Sequence, residues 1–126
     1  MLYGKNIVVV EDHDEMRRQI GTLLRQSRAN VVLASSAVQG LEAIKVKRPD
    51  LVISDISMDG MDGFELPRQI RVLPPGAGGS LPIVVLTALG GEANRAGISN
   101  AGFEARLPKP FSPSDLLKTI LTVFNG

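Results

Sequence analysis

The sequence predicts an α/β protein built on a doubly wound, five-stranded parallel sheet with helices on both faces. Three observations predict it. Five short apolar runs recur along the chain, apolar residues at helical spacing fill the intervals between them, and the runs are apolar at consecutive positions, as in strands covered on both sides. Right-handed crossovers between such strands place successive helices on alternate faces.

The elements follow in order. Residues 6–10 are a β-branched run, and 14–26 carry Met16, Ile20, Leu23 and Leu24 at helical spacing. Residues 31–34 are again strand-like, which completes a first strand-helix-strand unit. Ser36 with Gln39 three residues on is a capping-box signature. Ala37, Leu41, Ala43 and Ile44 then form the apolar stripe of a second helix, which ends before Pro49. The third strand is 51–54. A shorter helix is expected over 64–72, with Pro67 tolerated near its first turn. "LPPGAGGS" makes a long turn that reads as a flexible spacer.

The fourth strand is "PIVVLT", 82–87, and the helix expected over 92–101 is weakened by Asn94 and Gly97, so packing must hold it. A short fifth strand covers 105–107. Ser112-Pro113-Ser114-Asp115 opens the last helix with an N-cap, a proline at the first helical position and an acid near the positive end of the dipole. Leu116, Leu117, Ile120, Leu121 and Phe124 supply its buried stripe. No repeat or linker divides the chain, so residues 1–126 are expected to form one domain.

Composition bounds the function. A chain of 126 residues can bury a core without disulfides or a structural metal. With 44% hydrophobic residues, 21% charged residues and a net charge of +1, the sequence suggests neither disorder nor a broad electrostatic footprint for nucleic acid or membrane. The lack of cysteine excludes a thiol nucleophile, a disulfide framework and thiolate-bound zinc, and is compatible with the cytoplasm. The N-terminus does not resemble a signal peptide, and no segment approaches the roughly 20 apolar residues of a membrane span. A soluble, cytoplasmic protein is expected.

One stretch concentrates chemistry: "LVISDISMDGMDGFE", residues 51–65. Asp55, Ser57, Asp59 and Gly60 fall where a calcium-binding EF-hand loop places its first, third, fifth and sixth residues. The twelfth position, which needs a bidentate glutamate, is Leu66, and a strand leads into the loop where an EF-hand has a helix. The calcium reading therefore yields to that of a carboxylate at the carboxyl end of a strand.

In an open doubly wound sheet, ligands bind beyond the carboxyl ends of the strands. Glu11 and Asp12 stand there after the first strand, Asp55 after the third, Thr87 at the end of the fourth and Lys109 after the fifth. If the first and third strands are neighbours, Glu11, Asp12 and Asp55 share an acidic pocket, with Thr87 and Lys109 on its other side. Three carboxylates repel one another unless a hard dication sits among them, and oxygen donors favour Mg²⁺. With Asp55 as nucleophile, Mg²⁺ and Lys109 would offset charge on an incoming phosphoryl group, and the Thr87 hydroxyl could donate to one of its oxygens. Taken singly, each residue has a plainer reading: helix-dipole partners for Glu11 and Asp12, a turn residue for Asp55, a strand threonine for Thr87, a surface charge for Lys109. His13, the single histidine, is expected at the surface and not as a ligand, and Met58 and Met61 are expected as loop contacts near the pocket mouth.

"VVVEDHD", "LVISDISMDGMDGFE", "IVVLTA" and "LPKPF" resemble, in order and spacing, the receiver domain of two-component response regulators, and the match runs from about Asn6 to Phe124. The resemblance implies the flavodoxin-like strand order 2-1-3-4-5. It implies Asp55 as phosphoacceptor, Asp12 as a direct Mg²⁺ ligand, Glu11 as a ligand through water, and the Ser57 backbone carbonyl as a further ligand. It implies Thr87 as the switch hydroxyl, Lys109 as the phosphate-contacting base, and a cis peptide at Lys109-Pro110. A histidine kinase or histidine phosphotransfer protein would donate the phosphoryl group. A downstream protein would read the face formed by the helix over 92–101, the fifth strand and the last helix, with no direct role for nucleic acid or membrane. The domain would catalyse only its own phosphorylation and dephosphorylation, with Ser57, Ala88 and Leu89 governing water access to the product.

The chain departs from that pattern twice. Asp59 stands where receivers usually have proline, and Arg106 where they usually have an aromatic residue that turns inward on activation. An arginine is costly to bury unpaired, so Arg106 is expected to stay outside and to contact a partner or an acid on the helix over 92–101. Two other classes fit less well. A Mg²⁺-dependent phosphohydrolase wants a second aspartate two residues after the nucleophile, where Ser57 stands, and a flavin or nucleotide binder wants a phosphate cradle after the first strand, where "EDHDEM" presents acids.

Overall fold

The computed structural model describes residues 2–55, 65–74, 79–87 and 104–125. The elements are β1 (Asn6–Val10), α1 (Asp14–Gln26), β2 (Asn30–Ala34), α2 (Ala37–Lys47), β3 (Leu51–Asp55), α3 (Glu65–Arg71), β4 (Ile83–Thr87), β5 (Ala105–Pro108) and α4 (Pro113–Asn125). The helix expected over 92–101 lies outside the described residues, as do Ser57, Met58, Asp59, Met61, Ala88 and Leu89.

All four strand pairings are parallel, and the order is β2-β1-β3-β4-β5, the order the resemblance implies. The continuous apolar runs are explained by burial on both faces. Ile7 and Val9 of β1, Leu51 and Ile53 of β3, and Val84 and Leu86 of β4 point into one core, which Ile20 and Leu24 of α1 and Leu116 and Ile120 of α4 complete. Val8 and Val10, Val52, and Ile83 and Val85 point into the other, against Ala37 and Ile44 of α2 and Leu66 and Ile70 of α3. Among the described helices, α1 and α4 therefore cover one face and α2 and α3 the other.

The helix ends follow their local chemistry, with one difference from expectation. Ser36 Oγ accepts from the Gln39 N–H at 3.2 Å, as a capping box requires, but Gln39 Oε1 reaches one residue further back, accepting from the N–H and hydroxyl of Ser35 at 2.9 Å each. At α4 the box closes fully: Ser112 Oγ accepts from the Asp115 N–H at 3.0 Å, and Asp115 Oδ2 accepts from the Ser112 N–H at 3.2 Å. Helix α2 ends on Arg48 in the left-handed region, φ 46°, and Arg28 follows α1 with φ 77°. Gly40 brings α2 close to the sheet, since a Cβ there would stand 2.5 Å from Val10 Cγ2.

The opposite end of the sheet is tied by Arg71. Its guanidinium donates to the carbonyls of Gly79 (3.1 Å) and Leu81 (2.7 Å) and to both Glu104 carboxylate oxygens (2.8 and 3.0 Å). Glu104 in turn accepts from the Ile83 N–H at 2.8 Å. No described helix is long and apolar enough to cross a membrane.

Candidate functional site

The strand register delivers the predicted residues to one place. Val10 pairs with Ser54, so Glu11 and Asp55 are the next residues on adjacent strands, and the ladder carries one step further on the other side as the Glu11 N–H bonds the Ala34 carbonyl at 3.0 Å. Asp55 pairs with Leu86, Thr87 with Pro108, and the Lys109 N–H bonds the Thr87 carbonyl at 2.8 Å. Glu11 and Asp55 are fully buried, Thr87 nearly so, and Asp12 and Lys109 are partly exposed. The Lys109-Pro110 peptide is cis, as the resemblance implies.

Lys109 Nζ donates to Asp55 Oδ2 at 2.6 Å and to Glu11 Oε1 at 3.3 Å. Burial alone would lower the ammonium's pKa, but the hydrogen bond and charge of Asp55, with those of Glu11, outweigh it and raise the pKa, so Lys109 is charged. Glu11 moves the other way for a carboxylate. Burial strips its charge of water, and a hydrogen bond to Asp55 and that residue's negative charge add to this; Lys109 and the His13 N–H oppose it, leaving Glu11 at about 7.

Two residues join the site that sequence reasoning did not bring to it. His13 is exposed, as expected, yet its Nδ1 lies 3.2 Å from Asp12 Oδ1 and 3.4 Å from Glu11 Oε2. Its pKa is raised by the hydrogen bond to Glu11 and by the charges of Asp12 and Glu11. Arg17 donates from Nη1 to the Glu11 carbonyl at 2.8 Å while pairing with Asp14, and its side chain is only 17% exposed, so it braces the turn between β1 and α1. Arg17 at three residues from Asp14 signals the ion pair, but no pattern in the sequence signals the contact to a main-chain oxygen. Arg106 is half-buried on β5 opposite Val85 in register; the helix proposed as its neighbour lies outside the described residues.

The donor set fits a hard dication. One ligand atom from each of Glu11, Asp12, His13 and Asp55 can be chosen so that all lie within 4.8 Å of one another. Lys109 alone does not balance three neighbouring carboxyl groups, and oxygen donors of this kind suit Mg²⁺. The Ser57 carbonyl lies outside the described residues.

Comparison with known proteins gives this geometry a family. The chain is 38% identical over 111 residues to the response regulator MprA of Mycobacterium tuberculosis, covering 88% of this chain and 46% of MprA, so it spans about half the length of that relative. The chemotaxis response regulator CheY4 of Vibrio cholerae superimposes with a TM-score of 0.87 at 28% identity, covering 94% of this chain and 98% of that one. The receiver domain of the sensor histidine kinase PA1611 of Pseudomonas aeruginosa, solved with a magnesium ion in its active-site cleft, gives 0.87 at 27% identity, covering 98% and 99%. A family model, that of the response regulator receiver domain, matches residues 7–121. A buried acid pair bridged by a strand-end lysine on a 2-1-3-4-5 sheet is therefore no isolated construction: the chain belongs to the response regulator receiver domains.

Proposed function

We propose that this receiver domain, acting as one module over residues 1–126 in the cytoplasm, accepts a phosphoryl group on Asp55 and changes its protein contacts as a result. The observation that supports the reading is the 2.6 Å contact between Lys109 Nζ and Asp55 Oδ2 beside the buried Glu11, which sets a cation against the carboxylate at the carboxyl end of β3. The donor is a phosphohistidine of a histidine kinase or histidine phosphotransfer protein. An Asp55 oxygen attacks phosphorus, the new P–O bond forms as the P–N bond breaks, and the departing imidazole nitrogen keeps the electron pair and takes up a proton. Asp12, Asp55, the Ser57 carbonyl and, through water, Glu11 would hold Mg²⁺, which supplies positive charge against the phosphoryl oxygens. Lys109 contributes a second positive charge, and the Thr87 hydroxyl donates to a phosphoryl oxygen. As Thr87 and Lys109 turn toward the new anion, the surface formed by the segment 92–101, β5 and α4 is redistributed for a downstream protein.

Incubation with acetyl phosphate and Mg²⁺ followed by intact mass measurement tests this. The parent gains one phosphoryl mass and Asp55→Asn gains none. Equal labelling of both moves the acceptor elsewhere, and continuous turnover of many donors per chain favours a phosphohydrolase.

A further inference from the structure

We propose that His13 is a specificity-determining residue of the acidic site, adding a nitrogen donor through which divalent transition ions bind where an all-oxygen site favours Mg²⁺. The inference rests on the metal reading made under the proposed function and deepens it. The geometry is that of donors around one ion. Metal–donor bonds of about 2.1 Å put neighbouring octahedral ligands about 3.0 Å apart. The Nδ1 separation of 3.2 Å to Asp12 Oδ1 lies close to such an edge, Glu11 Oε2 at 3.4 Å stands where it reaches the ion through water, and one candidate donor each from Glu11, Asp12, His13 and Asp55 can be chosen within 4.8 Å of one another.

The turn that carries the ring is held by its backbone. The His13 N–H bonds Glu11 Oε2 at 3.3 Å, the His13 carbonyl accepts from the Arg17 N–H at 2.9 Å, and the Arg17 guanidinium grips the Glu11 carbonyl. An imidazole beside two carboxylates makes a mixed N/O set. Mg²⁺ gains little from nitrogen, whereas Zn²⁺ accepts imidazole readily. A solvent-facing pocket lined by His13, Glu15, Met16, Gln19 and Lys109 lies on this side of the ring.

His13 is the single histidine in the chain, so its signals report one position. Titration calorimetry of the full chain at pH 7.5 with Mg²⁺, Mn²⁺ and Zn²⁺ compares the parent with His13→Phe and Asp12→Asn. His13→Phe is expected to weaken Zn²⁺ by roughly 10- to 100-fold while moving Mg²⁺ by less than about threefold. Substoichiometric Mn²⁺ is expected to broaden the imidazole resonances of the parent and to leave those of Asp12→Asn sharp. Zn²⁺ affinity unchanged in His13→Phe, or imidazole signals that stay sharp in the parent, overturns the inference while leaving the Mg²⁺ reading intact. Mg²⁺ binding equally to the parent and to Asp12→Asn overturns both.

Discussion

Lys109 reaches past the whole width of β4 to touch Asp55: Asp55 ends β3 and Lys109 follows β5, strands that are not neighbours, yet Nζ and Oδ2 are 2.6 Å apart. The lysine thus neutralises part of a cluster that Glu11 and Asp55 create side by side. Lys109→Met removes the cation and leaves the two buried carboxyl groups facing each other. We expect the metal-free variant to lose about 1–3 kcal/mol at pH 8, read as a lower urea midpoint, with a smaller loss at pH 5 where Glu11 is protonated. Equal losses at both pH values would contradict this account of the pair.

Acid should stabilise the metal-free protein. The folded-state pKa of Glu11 is raised from 4.5 to about 7, so the folded chain binds this proton more tightly than the unfolded one. The contribution is fully present below pH 4.5 and is lost as pH rises through about 7. His13, also raised, acts in the same direction, its share being lost above its usual 6.5. The urea midpoint is expected to fall between pH 5 and pH 8, and Glu11→Gln should flatten that slope. A rising midpoint over this range would refute the burial argument for Glu11.

Magnesium should reverse the trend. A ligand that binds only the folded state stabilises by about 2.7 kcal/mol at one hundred times its dissociation constant. At pH 8, saturating Mg²⁺ should raise the melting temperature of the parent and have little effect on Asp12→Asn, as scanning calorimetry would show.

Gly40 is needed for packing. A Cβ there would meet Val10 Cγ2 at 2.5 Å, so Gly40→Ala should cost about 1–3 kcal/mol by pushing α2 off β1. Combining it with Val10→Ala vacates the contested space, and the double variant should lose less than the sum of the singles.

Arg28 offers the opposite case. Its φ of 77° strains a residue with a Cβ, so Arg28→Gly should gain up to about 1 kcal/mol, measured as a higher urea midpoint.

The residues that could be read from the sequence share one property: their roles follow from position along a regular element. Ile53 and Val84 announce doubly covered strands, Ser36 and Ser112 announce helix starts, and Glu11, Asp55, Thr87 and Lys109 are recognisable as strand-end residues once the alternation of elements is seen. What could not be read depends on side-chain reach between elements. Gln39 bonding Ser35 in place of Ser36, Arg17 finding a carbonyl six residues back, and His13 turning toward the acids are choices of rotamer and turn geometry with no periodic trace. The bond between Arg71 and Glu104 spans 33 positions and is equally silent.

That last bond has a mechanical meaning. By forking onto Gly79, Leu81 and Glu104, Arg71 rivets the floor of the molecule, where β4 and β5 begin. A frame pinned at its base resists movement there, which leaves the opposite rim, where Glu11, Asp55, Thr87 and Lys109 gather, as the end where the strands carry no such clasp among the described residues.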